Sequence, residues 1–229
     1  MSRLAARIRV DEQMDDPGHA PETYDRVLKD LARVNAVTLA ARPTLDFLKR
    51  GIGELPAFRL LDVGFGHGDM LRRIARWARR RDIAVDLIGV DLNPRSAVAA
   101  RAATPVAWPI EYRTGDYRDV AGPIDFIISS LVAHHMTDAE LDAFLRFMEA
   151  RATVGWLIND LHRLAFPYAG FPLLARLLGA HRIVREDGKV SIGRAFRPAE
   201  WEAILAKAGI SGARIVRHFP FRLCVERLR

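Results

Sequence analysis

Two groups of residues in this chain have the type and spacing to do chemistry. The first is a glycine loop, Asp62-Val63-Gly64-Phe65-Gly66-His67-Gly68-Asp69, set between a short apolar run and a helical stretch. Glycines in that place allow a tight turn and let backbone come close to a ligand at the carboxyl edge of a strand. A dinucleotide fingerprint needs G-x-G-x-x-G; here the spacing is G-x-G-x-G, with Asp69 where the third glycine of that fingerprint would fall. Asp62 would repel a pyrophosphate, and no lysine with serine or threonine follows the glycines to make a P-loop. The second group is histidine: His134 and His135 side by side, and His162 further on. An imidazole with an ordinary pKa of about 6.5 is suited to taking a proton near neutral pH.

A cationic ligand without phosphate turns the charge of the loop into an advantage. S-adenosylmethionine (SAM) carries a sulfonium and an ammonium, so Asp62 favours it. Asp91 supports the same assignment. It ends the second strand of the pattern, 23 residues beyond Gly68, where a carboxylate accepts from both ribose hydroxyls.

The elements that must position these groups follow from periodicity. Residues 58–63, 85–90, 110–113, 124–130 and 153–159 read as strands, alternating with helical patterns over 69–80, 95–101 and 138–150. Such alternation with short loops predicts a doubly wound, mostly parallel α/β sheet. Its glycine loop, Asp91 and the three histidines then all fall at strand ends. Residues 198–208 predict a helix, and the runs 213–219 and 221–228, parted only by Pro220, predict an antiparallel hairpin. Before the sheet, residues 1–20 read as a mobile or loosely docked leader ending at Pro17-Gly18. Two helices follow, the second opened by Pro43. The expected division is a leader and helical cap over 1–54 and a cofactor-binding domain over 55–229, with a lid insertion at about 161–196.

Taken together, Asp62-x-Gly64-x-Gly66-x-Gly68, Asp91 and Gly115-Asp116-Tyr117 resemble a class I SAM-dependent methyltransferase. The stretch Ser129-Ser130-Leu131-Val132-Ala133-His134-His135-Met136-Thr137-Asp138 is similar to small-molecule methyltransferases of the ubiquinone/menaquinone-biosynthesis type. Asn159-Asp160-Leu161-His162-Arg163 and Phe196-Arg197-Pro198-Ala199-Glu200-Trp201 resemble bacterial members associated with aromatic polyketide pathways. The resemblance implies a Rossmann-like fold and SAM as cofactor. It places Asp62, Gly64, Phe65, Gly66, Gly68, Asp91, Leu92, Asp116, Tyr117 and Ser130 against that cofactor, with Asp116 accepting from the adenine amino group. The expected reaction is methyl transfer to a hydroxyl of a phenolic, quinol or polyketide-derived acceptor, with methylation at ring carbon as the alternative. His135, His134 or His162 is the expected base. If His134 and His135 stay extended, their side chains point in opposite directions and only one enters the site. Asp160 could orient His162, and Phe166, Tyr168, Phe171 and Leu174 would wall the acceptor pocket.

Composition narrows the remaining classes. The chain has 229 residues, half of them apolar and 28% charged, as in an ordinary globular protein. A single cysteine, Cys224, excludes a disulfide scaffold and a multi-cysteine metal site. Adjacent histidines make a poor chelate and no H-E-x-x-H accompanies them, so no metal is expected. The net charge of +7 comes from arginine, with lysine only at 29, 49, 189 and 207. The arginines are spread along the chain and their densest cluster, residues 72–81, reads as a solvated helix face, so a nucleic-acid partner is not expected. A non-catalytic SAM-binding subunit is disfavoured by the intact glycine loop. No apolar run long enough for a membrane span and no secretory signal are visible, which predicts a cytoplasmic protein.

Overall fold

The computed structural model describes residues 4–16 and 18–229. Its centre is one seven-stranded sheet in the order β3-β2-β1-β4-β5-β7-β6. The strands are β1 Ala57–Val63, β2 Ala84–Asp91, β3 Ile110–Thr114, β4 Ile124–Ser130, β5 Ala152–Leu161, β6 Arg214–His218 and β7 Arg222–Leu228. β1 to β5 run parallel, while β7 lies antiparallel between β5 and β6. The predicted doubly wound sheet with its terminal hairpin is therefore present. Leu60 and Leu61 are both fully buried, as expected of a strand covered on its two faces.

The helices are α1 Pro21–Val37, α2 Arg42–Gly51, α3 Asp69–Arg79, α4 Pro94–Ala102, α5 Asp138–Arg151, α6 Ala165–Leu177, α7 Arg182–Arg194 and α8 Pro198–Ala208. Proline opens the first turn of α1, α2, α4 and α8, where its missing N–H costs nothing. Phe47 and Leu48 of α2 and Leu71 and Ile74 of α3 cover one sheet face. Phe144 and Leu145 of α5 and Trp201 of α8 cover the other. A third, smaller cluster joins Val27 and Val34 of α1 to Ala175 of α6 and to Ile183 and Val184 of α7. It builds a roof over the carboxyl ends of the parallel strands. Strand order reverses beside β1, and a crevice opens there. Among the described residues, no helix is long and apolar enough to cross a membrane.

Two features depart from expectation. The 161–196 insertion is a pair of packed helices, and α7 has no counterpart in the sequence pattern. The leader is firmly attached: Leu4 and Glu12 are buried. Ile8 N donates to Gly193 O at 3.0 Å, and the N–H groups of Gln13 and Met14 donate to the Asp187 carboxylate at 3.0 and 2.8 Å. Pro17, read as part of the leader's end, lies outside the described residues.

Candidate active site

β1 runs directly into the glycine loop, and backbone geometry explains each glycine. Gly64, Gly66 and Gly68 all have φ between +53° and +76°, a region costly for other residues. At Gly64 a Cβ would also stand 2.4 Å from Val132 Cγ2. Gly68 caps the start of α3, and a Cβ there would meet Tyr112 Oη at 2.5 Å. At Gly66 the nearest atom to a Cβ is Leu28 Cδ2 at 4.0 Å, so this glycine faces open space. Asp91 fixes the loop from the tip of β2: Oδ2 accepts from Gly66 N at 3.0 Å and Oδ1 accepts from Asn93 N at 2.9 Å. Arg72 ties down the far side, donating to His67 O at 2.7 Å with its other terminal nitrogen 2.9 Å from His67 Nδ1. Burial, reinforced by Arg72, holds the His67 imidazole below its ordinary pKa.

Asp62 lies under this loop. It is 1% exposed, and its Oδ1 has no hydrogen-bond partner among the described residues. Burial, with Asp69 and Asp91 adding repulsion, pushes its carboxyl up to about 8. A buried acid without a counter-ion is expensive to keep, and a bound cation would relieve it.

The histidines differ from the extended picture. Residues 133–135 form a 3-10 turn, closed by His135 N donating to Val132 O at 2.9 Å. The two rings therefore lie together, with centroids 4.3 Å apart. His134 is buried, its Nδ1 2.7 Å from Asp160 Oδ1 and its Nε2 3.4 Å from Glu12 Oε1. Burial opposes charge on this ring, but Asp160 and Glu12 outweigh it and push His134 up to about 9. His135 is partly open, and its Nε2 stands 3.5 Å from the same Glu12 oxygen. Ser191 Oγ donates to Glu12 Oε1 at 2.7 Å and so secures it to α7. Asp160 thus orients His134 and not His162. His162 sits in a bridge with Phe196 and does not line the cavity.

One cavity of about 960 Å³ joins the two groups, at the upper end of the range for ligand sites. Asp62, Gly64, Phe65, Gly66, Asp91, Leu92, Tyr117 and Ser130 line it, as do His134 and His135. Gly68 and Asp116 do not; Asp116 instead receives the Arg118 guanidinium on both oxygens. α1 and α6 supply the apolar wall, including Leu28, Phe166, Phe171 and Leu174, while Tyr168 stays outside it. Glu12 and Arg222 also line the cavity, and sequence reasoning did not find either. Nothing local marks Glu12 among the acidic residues of the leader. Arg222 could have been noticed as a charge opening the apolar run Leu223-Cys224-Val225.

Residues 60–155 match the family model described as a methyltransferase domain. No curated protein matches the sequence. Several solved structures share the fold. The magnesium protoporphyrin IX methyltransferase of Synechocystis PCC 6803 with bound S-adenosylhomocysteine is 15% identical. The match covers 95% of this chain and 91% of that one, with TM-score 0.57. The plantazolicin methyltransferase BpumL, also with S-adenosylhomocysteine, is 13% identical over 90% of this chain and 95% of its own, with TM-score 0.64. Human N-acetylserotonin methyltransferase with SAM is 13% identical over 92% and 56%, with TM-score 0.62. The chain carries a methyltransferase domain on a Rossmann-like sheet. These three neighbours hold SAM or its demethylated product, S-adenosylhomocysteine. The residues present fit that cofactor: an unpaired buried carboxylate for a cation, an open glycine cradle and a carboxylate at the tip of β2.

Proposed function

We propose that this protein methylates a hydroxyl on a small, largely apolar aromatic acceptor of phenolic, quinol or polyketide-derived type. The observation that carries this reading is the Glu12, His134 and His135 cluster, which stands on the wall of the same apolar cavity as the glycine loop. SAM, when bound, supplies an electrophilic methyl group on its sulfonium. Asp62 would hold the cationic end and Asp91 the ribose hydroxyls, with Gly64, Phe65, Gly66, Leu92, Tyr117 and Ser130 shaping the bed between them. Asp116 could reach an adenine amino group only by giving up its pairing with Arg118.

His135 is the proton acceptor in this scheme. His134, pushed up to about 9, stays an imidazolium at neutral pH and keeps Glu12 and His135 in place. Alignment of donor and acceptor provides most of the catalysis, since positioning alone can contribute roughly 7–11 kcal/mol. The apolar side chains of α1 and α6 would shield part of that encounter from water.

Further support for a small acceptor comes from the arginine cluster. Arg72 is committed to the glycine loop, Arg76 and Arg79 lie over Trp108, and Arg81 lies over Trp77, which leaves few for a nucleic-acid backbone. The fold neighbours named for protoporphyrin IX, plantazolicin and N-acetylserotonin point the same way.

The test is transfer of a labelled methyl group to a panel of naphthols, quinols and phenols, with product analysis to separate oxygen from carbon methylation. Label in an ether product is the expected result; label at ring carbon, or in RNA alone, would reject the hydroxyl reading. Asp91→Ala should weaken SAM binding about 10–100-fold by calorimetry, the loss expected for hydrogen bonds to a charged group. Unchanged affinity would remove Asp91 from the ribose.

A further inference from the structure

The first residue of β7 is a buried charge with no ion-pair partner among the described residues. Arg222 is 3% exposed and stands on the cavity wall. Its Nη2 has one long hydrogen bond, 3.5 Å, to the neutral Asn35 Oδ1 of α1, and its Nη1 has no partner among the described residues. Glu226, four residues on along the same face of β7, is equally buried, and there α2 supplies Arg50 at 2.5 Å as the counter-charge. Burial works against the Arg222 guanidinium, and the charges that favour it, led by Asp160, act only through space. Arginine nevertheless keeps its proton in proteins. A buried cation without a hydrogen-bonded anion is heavily penalised, so folding alone gives no reason to retain it.

We propose that Arg222 is the carboxylate-binding group of the acceptor site, and that the acceptor is therefore an aromatic hydroxy acid. The guanidinium fork takes a carboxylate through two parallel N–H bonds, while Phe171 and Leu174 cover the ring. The assignment rests on the acceptor reading above and names the substrate class within it. SAM has a carboxylate of its own, and the strand order argues against that source. The donor's polar groups are placed at the tips of β1 and β2, whereas β7 is three strands from β1, roughly 14 Å at about 4.8 Å per step.

The test uses the full-length protein saturated with S-adenosylhomocysteine and titrated with a hydroxynaphthoate or with the corresponding naphthol. The wild type should bind the acid at least about tenfold more tightly than the naphthol. Arg222→Met should abolish that preference with naphthol binding unchanged, and Arg222→Lys should keep part of it. Donor affinity should be the same in all three proteins. In the absence of ligands Arg222→Met should also melt at a higher temperature than the wild type, because an uncompensated buried charge is gone. A lower melting temperature or failure to fold would make Arg222 structural and overturn the proposal. So would equal binding of acid and naphthol by the wild type, or a loss confined to the donor. Because binding is read without turnover, a protein that binds the acid but methylates nothing would reject the proposed reaction and leave the carboxylate site standing.

Discussion

Asp62→Asn should lose most of its SAM affinity and gain stability. The carboxyl is buried, lacks a partner at Oδ1 and is pushed up to about 8 by burial and by Asp69 and Asp91. An ordinary aspartate in the unfolded chain titrates near 3.9. The folded state therefore binds the extra proton between these values. The group's contribution to stability is complete below about pH 4 and is lost as pH rises through about 8. Asparagine has no proton to lose, so its advantage over aspartate in thermal unfolding should grow as pH is raised from 5 to 9. The donor reverses this balance, because a cation beside Asp62 favours the carboxylate. At pH 7 the wild type should release close to one proton on binding SAM, read by calorimetry in buffers of different ionisation enthalpy. In Asp62→Asn that release should vanish and affinity fall about 10–100-fold, the value of a charged hydrogen bond. Proton uptake in the wild type, or an unchanged affinity in the variant, would detach Asp62 from the donor's cationic end.

The second large effect is expected at the paired histidines, where two neighbours should fail in different ways. His135→Ala should lower kcat by about 10²–10⁴, the usual contribution of a general base, with donor affinity and melting temperature unchanged. His134→Ala removes the partner of two buried carboxylates, Asp160 and Glu12. Breaking such a buried network costs about 3–5 kcal/mol, so this variant should melt earlier whatever its rate. The pH dependence has the same sign as that of Asp62, since both groups hold their protons more tightly in the folded state. The imidazolium of His134 is raised above its ordinary value to about 9. Its stabilisation is whole below about pH 6.5 and is lost as pH rises through about 9. A His135 variant with full kcat on a phenol would dispose of its role as base, and a His134 variant as stable as the wild type would deny the network.

The glycine loop was legible in the sequence because its demands are local. Gly64 and Gly68 are dictated by positive φ and by the close approach of Val132 and Tyr112, and Asp91 by its place at a strand tip. The histidine cluster on the cavity wall was legible only in part, because its groups meet across long stretches of chain. Glu12 reaches Ser191 across 179 residues and His134 reaches Asp160 across 26, and no spacing rule predicts either. α7 escaped notice because its buried positions include Asp187, Ser191 and Arg194, polar residues occupied with the leader and the histidine turn. Gly188 and Gly193 interrupt it further, one making room for the Phe171 ring and the other for Ile8. A helix so patterned has no clean apolar stripe to read. The adjacent histidines were misjudged for a related reason: a turn places both rings on one side where a strand would have parted them.

The reversed direction of β7 has an effect on how such an enzyme could diversify. A strand entering the sheet backwards begins where its parallel neighbours finish, so its opening residue is delivered to the ligand side without any loop of its own. In the proposed scheme, cofactor recognition falls in the glycine loop and β2, and acceptor recognition in the leader, the α6–α7 pair and β7. Exchange of the leader, the α6–α7 pair and the final hairpin as a set could therefore retarget the chemistry, leaving the methyl-donor half untouched.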